Sequence, residues 1–310
     1  MGFLGWAVGA GLWTAFLAIQ QFSPRFTWLE DWHVYSAAAN QLLAHTLYRV
    51  PLESAYRLPL EVFNYPPLSA AVAVPFLALP DQMAGTTWVA LNLGAMAIVA
   101  ILTARMLGVH DVLAWAGLGF LAYTLHPWFI LALLGNNTPL VLLAVAAFAY
   151  EHLAGRQRSA GFLLGVGIGL KLWPAMLIPL LWREHRLSSL VWAVSVPAIT
   201  VAAAILWLGA DSIGAAVSAL GARAEVRGEN IVLGFSWLRE AFRVPGWVAI
   251  AAALALVAIP ARGKLGIGLG ILSGMAVVPN LWRTYLPTII VGGLLVVRGS
   301  LDKLARMRDA

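Results

Sequence analysis

Residues 30–67 read EDWHVYSAAANQLLAHTLYRVPLESAYRLPLEVFNYPP, a polar exception in an apolar chain. The stretch holds Glu30, Asp31, Glu53 and Glu61, four of the 14 acidic residues among 310. One apolar span, about Gly2 to Phe22, precedes it, and a long series of others follows. The chain is 61% hydrophobic and 11% charged, whereas a soluble domain carries about 25% charged residues. Segments long enough to cross a hydrocarbon core recur, and helices satisfy their own backbone there. The sequence therefore predicts an all-α polytopic membrane protein.

Working outward, apolar segments run over 68–79, 86–107, 112–134, 139–153, 159–182, 187–208, 245–260, 265–278 and 285–297. They predict one integral-membrane domain over residues 1–310, a bundle of roughly 9–11 transmembrane or partly spanning helices. A large first external loop, 23–66, a second external loop, 209–244, and a basic cytoplasmic tail, 298–310, complete it. Between Asp31 and Ala44, Trp32, Tyr35, Ala39, Leu42 and Leu43 share one helical face, with His33, Asn40 and Gln41 away from it. That pattern predicts a short amphipathic helix lying on the membrane surface. The paired prolines of NYPP suit the first turn of a following helix, where missing amide hydrogens cost nothing.

The net charge of +6 falls at the ends of apolar spans, which favours cytoplasmic anchoring over nucleic-acid binding. Arg183, Arg186, Arg262, Lys264 and the tail fall on one side if each later span crosses once, and that side is expected to be cytoplasmic. Bringing Arg105, Arg156 and Arg158 to the same side requires 68–79 to stop short of crossing. It also requires 159–182 to be a broken hairpin turning near Lys171 and Pro174. Gly135, Asn136, Asn137 and Lys171 then face outward with the first loop. The absence of Cys removes disulfides, thiolate nucleophiles and thiolate metal sites. No cleavable signal pattern is evident in the first span.

Three groups of residues carry chemistry. Asp31 opens the amphipathic helix beside aromatic residues; alone it reads as a helix N-cap or an interfacial carboxylate, and a partly desolvated carboxylate at a surface cleft also suits a general base. Glu30 points elsewhere on the helix. Lys171, in GVGIGLKLWPAM, is a cation in an apolar span, read either as snorkelling to the interface or as a contact for a lipid-linked phosphate. Asn136 and Asn137, in LLGNNTP, form a turn or hydrogen-bond sugar hydroxyls. Asn230 with Arg239 and Arg283 with Tyr285 are further outward polar groups. No DxD or cluster of metal-ligand spacing occurs, so no metal or cofactor is expected.

Taken together these motifs resemble glycosyltransferase family 87, of the GT-C superfamily of membrane enzymes. The resemblance is carried by DWHVYSAAANQLL with Leu47–Tyr48, by FNYPPL, by GNNTPLVLLA, by AGFLLGVGIGLKLWP, and by GENIVLGFSWLREAF. It implies a GT-C-type bundle that transfers a sugar, mannose foremost, from a polyprenyl-phosphate donor to a glycolipid or glycan acceptor. It also implies a bacterial-type plasma membrane, with the active site on the extracytoplasmic face. Asp31 is then the base, and inversion expels polyprenyl phosphate. Lys171 and Arg283 become candidates to stabilise that phosphate, His33, Asn64 and Tyr65 are candidates to line the sugar pocket, and Tyr35 is a further substrate-binding candidate. One departure is that the family's Ser-Trp followed by His near the penultimate external turn is here Leu281–Trp282–Arg283–Thr284–Tyr285. The rival reading is a transporter or flippase using Lys171 and the Gly-rich span as a path. Against it stand the absence of an inverted repeat and the placement of the acidic residues in an external loop.

Overall fold

Prolines and glycines mark where helices begin and end. The computed structural model describes residues 29–50, 52, 63, 65–108, 135–223, 246–277 and 285–309. The first span, the segment 112–134, most of the second loop, and Asn64, Asn230, Arg239 and Arg283 lie outside the described residues. The helices are α1 Glu30–Leu43, α2 Pro67–Ala71, α3 Asp81–Leu107, α4 Thr138–Leu153, α5 Gln157–Leu170 and α6 Ile178–Arg183. They continue with α7 Leu187–Leu208, α8 Ser212–Arg223, α9 Gly246–Ala258, α10 Gly263–Val277 and α11 Leu286–Arg308. Two of them, α3 and α7, are long and apolar enough to cross a membrane. The chain divides into two compact units, Met1–Leu143 with Val201–Leu220, and Ala144–Thr200 with Gly221–Ala310.

In the first unit, the Pro66–Pro67 pair starts α2, and a 3-10 turn, Val74–Ala78, follows it. Together they cover the segment expected to fall short of crossing, and about 12 residues at 1.5 Å each reach roughly 18 Å, not the ~30 Å of a hydrocarbon core. The amphipathic helix is present as α1. The face expected to rest on lipid is covered by protein over its first turns, where Trp32 is 0% and Tyr35 1% exposed, while Leu43 at its end is 50% exposed. Trp32 packs at 5.3 Å from Trp88 and 6.0 Å from Phe76, ring centre to ring centre. Hydropathy alone shows that a face is apolar; it does not show whether lipid or protein will cover it. The far end of α1 is tied to the end of α7, where Trp207 Nε1 donates to the Leu42 carbonyl at 2.8 Å. The His45 ring stacks on Trp207 at 4.3 Å, and Arg49 donates to the Leu208 carbonyl at 3.0 Å.

In the second unit, α5 ends where the sequence places a turn. Lys171 is extended, with φ −147° and ψ 146°, and Pro174 opens the 3-10 turn Trp173–Leu177 that leads into α6. The chain then returns to where α5 began, because Glu184 meets His152 at 2.8 Å and Ser189 donates to the Gln157 carbonyl at 2.8 Å. Gly161 allows this return: a Cβ there would collide with the Ser189 backbone. Arg183 caps the end of α9, donating to the carbonyls of Val257, Ile259 and Ala261. Of these, the Val257 carbonyl lies in the last turn of α9, the negative end of its dipole. The basic stretch from Arg298 onward is helical, as α11 continues to Arg308. Asp302 pairs there with Lys264 at 2.8 Å and Arg298 at 3.0 Å.

Candidate active site

Asp31 occupies the first turn of α1, the end of a helix that favours negative charge. The residue before α1, Leu29, is buried and holds a left-handed backbone with φ 63°, a conformation costly for a side chain with a Cβ. Asp31 is half-buried. Its Oδ2 accepts a hydrogen bond from Asn136 Nδ2 at 2.9 Å. The amide orientation of Asn136 is fixed by its other end, where Oδ1 accepts from the Thr138 backbone N–H at 2.8 Å and from its hydroxyl at 2.6 Å. With the oxygen committed to the start of α4, only the NH₂ group can face the carboxylate.

The turn carrying Asn136 is seated against α1 by its neighbours. Gly135 has φ +79°, and a Cβ there would lie 2.7 Å from Trp32 Cβ and 2.9 Å from the Trp32 backbone nitrogen. Only glycine accepts both that backbone and that approach. The Gly135 carbonyl takes the Trp88 indole N–H at 2.7 Å. Asn137 is fully buried; its Oδ1 accepts from the Tyr35 hydroxyl at 2.8 Å, and its Nδ2 donates to Ser69 Oγ at 3.1 Å. Tyr35 and Asn137, both expected among the substrate-binding residues, share a hydrogen bond with each other. They position the turn that holds Asp31.

Tyr65 lies 5.8 Å from the Tyr35 ring, and its carbonyl accepts from the Tyr48 hydroxyl at 2.7 Å. Burial pushes the Tyr48 phenol well above its ordinary range, so this hydroxyl stays a donor. Both side-chain oxygens of Asp81 face α1: Oδ1 accepts from Trp32 Nε1 at 3.3 Å, and Oδ2 lies 3.9 Å from His33 Nδ1.

The second unit holds Lys171 and Tyr285. The ammonium is buried, 3.4 Å from the phenolic oxygen and 5.2 Å from the ring centre. In the same unit the Trp173 indole N–H and the Thr288 hydroxyl are buried without a partner. A buried ammonium like that of Lys171 suits an anion. Lys171 sits at the C-terminus of α5, a position that favours a cation, and it is buried rather than extended to an interface.

The sequence profile of glycosyltransferase family 87 matches residues 63–297. The chain belongs to this family. It is 27% identical over 269 residues to a polyprenol-phosphate-mannose-dependent α-(1-2)-phosphatidylinositol pentamannoside mannosyltransferase of Mycobacterium tuberculosis, an alignment covering 84% of this chain and 60% of that relative. The chain thus spans about 60% of the length of the curated relative it matches. No solved structure matches it. Membership of a glycosyltransferase family gives the transporter reading no support. The family match covers YPPL, the GNN turn and the Lys171 break, and it begins after α1. The place of Asp31 is set by its contact with Asn136, which lies inside the match.

Sequence reasoning notes Gly135 only as part of the GNN turn and passes over Ser69, Trp88 and Asp81, which hold that turn and the first turn of α1. Ser69 flanks a motif that stands out for its prolines. Trp88 lies among ordinary residues of an apolar span. Asp81 follows a proline at a helix start, where an acid is the usual dipole partner.

Proposed function

We propose that this chain moves a hexose, mannose foremost, from a polyprenyl-phosphate donor to a hydroxyl of a glycolipid or glycan acceptor on the extracytoplasmic face. The observation that carries this reading is the Asp31–Asn136 hydrogen bond of 2.9 Å, which joins the DWHVY motif to the GNN turn. In the proposed reaction Asp31 takes the acceptor proton as the acceptor oxygen bonds to the anomeric carbon. The bond to the phosphate oxygen breaks, its electron pair leaves with polyprenyl phosphate, and the anomeric centre inverts. The departing phosphate needs charge stabilisation rather than a proton. Lys171 with Tyr285 is our candidate for that contact. Arg283, Asn64, Asn230 and Arg239 keep the substrate-binding roles implied by their motifs. The relative's mannose donor and its glycolipid acceptor support the same reading.

Asp31→Asn tests it. Asparagine is nearly isosteric and its side-chain oxygen still accepts from Asn136, so the variant should fold and insert. A general base contributes about 10²–10⁴-fold, and transfer of labelled mannose from a polyprenyl-phosphate donor should fall by that factor. The assay should run equally well in EDTA, in keeping with the proposed metal independence. Parent-like turnover by the variant would remove Asp31 from the mechanism.

A further inference from the structure

We propose that Asp81, together with His33, positions the acceptor: its carboxylate takes hydrogen bonds from acceptor-sugar hydroxyls beside the one that reacts. The proposal rests on the reading of Asp31 as the base. Asp31, Trp32 and His33 are consecutive on α1, so their side chains leave the helix about 100° apart. Asp31 reaches Asn136 on one flank of the buried Trp32. On the other flank are His33 and Asp81, in contact through Oδ2. The two carboxylates therefore bracket one indole at the first turn of α1. Asp81 is also the first residue of the 27-residue helix α3, so its height is set by the end of an apolar span.

Support of the fold is the plainer role for Asp81, and it explains too little. Trp32 is already seated by Trp88, Phe76 and the Gly135 turn. Its N–H reaches Asp81 at a long 3.3 Å and occupies one of about four acceptor directions of a carboxylate. The Asp81 side chain remains 67% and His33 42% exposed. An open acceptor beside an imidazole that can donate or accept matches the hydroxyls of a sugar ring, which both donate and accept. Neither residue is needed to move the reacting proton. Their contribution is to orientation, and so to which hydroxyl meets Asp31.

The test uses the full chain in lipid nanodiscs, with farnesyl-phosphate-mannose as donor and octyl α-mannoside and its monodeoxy analogues as acceptors. Asp81→Asn keeps an oxygen for Trp32 and loses the charge. A hydrogen bond to a charged group sets the scale, so acceptor KM should rise about tenfold while kcat changes by less than about threefold. The penalty that the parent shows for one missing acceptor hydroxyl should shrink in this variant. His33→Gln should move the same parameters by less. An unchanged acceptor KM in Asp81→Asn, or a fall in kcat alone with the deoxy penalty intact, would mean that Asp81 only supports the fold. Absence of transfer by the parent, or parent-like transfer by Asp31→Asn, would instead overturn the reading on which this one rests.

Discussion

Asp31 and Glu184 are both carboxylates bound by groups from other helices, and their surroundings differ in kind. Asp31 is half-buried and is oriented by the neutral amide of Asn136. Glu184 is bound at one oxygen by the His152 imidazole and at the other by the Gly263 backbone N–H, both at 2.8 Å. The His152 and Glu184 side chains are only 3% and 10% exposed. Glu184 thereby joins the ends of α4 and α6 to the start of α10. Burial alone would raise its pKa; the bonds from His152 and Gly263, with the charges of His152 and Arg186, outweigh burial and hold it below the ordinary carboxylate range. A carboxylate fixed in this way is committed to the fold. Asp31 is only half-buried, and the base role proposed for it needs that access.

Substitutions can break this comparison, and the largest effect should come from Asp31→Asn. Its proposed loss of about 10²–10⁴-fold should leave the melting temperature near that of the parent. Next comes Gly135→Ala. The left-handed backbone and the collision with Trp32 should together cost about 2–4 kcal/mol. The observable is a lower melting temperature accompanied by a fall in kcat, because α1 must move away from Asn136. Parent-like values for both would mean that the turn is not seated as described.

Glu184→Ala should show the opposite balance from Asp31→Asn. Removing one partner of a buried pair should cost about 2–3 kcal/mol of stability, with turnover per folded molecule largely retained. The pH dependence has a definite sign. A lowered folded pKa contributes stability above the unfolded carboxylate value, and that stability is lost as pH falls through the folded value. Thermal melts of the parent should therefore steepen on the acid side relative to Glu184→Gln. Identical slopes would remove Glu184 from the acid response.

The smallest change sharpens the comparison. Tyr35→Phe leaves Asn137 Oδ1 without its hydroxyl donor in a fully buried place, at about 1–2 kcal/mol. It should lower kcat several-fold through Asn136 while acceptor KM holds. A rise in acceptor KM with kcat intact would return Tyr35 to the sugar pocket.

The parts of the fold that follow from local chemistry are legible in the sequence. NYPP starts a helix because proline fits its first turn, and the Gly-rich run ends at Lys171 because Pro174 cannot continue it. The candidate base stands out as an acid among aromatics at the start of an amphipathic helix. Its partner does not, since Asp31 and Asn136 are 105 residues apart and their contact depends on how closely Gly135 approaches Trp32. The Tyr35–Asn137 contact is hidden for a related reason, since it joins α1 to a turn 102 residues away. Asp81 is masked by its ordinary position, because the same residue type serves a helix dipole and a substrate equally well.

The closeness of Gly135 to Trp32 has a consequence for sequence divergence. The atoms that a Cβ at position 135 would strike are the Cβ, backbone nitrogen and Cα of residue 32. Every residue carries the last two, so a smaller side chain after the aspartate opens no room at the turn. With φ +79° as well, the turn needs glycine whatever side chain faces it. A chain with a larger residue there gives up this placement of the aspartate.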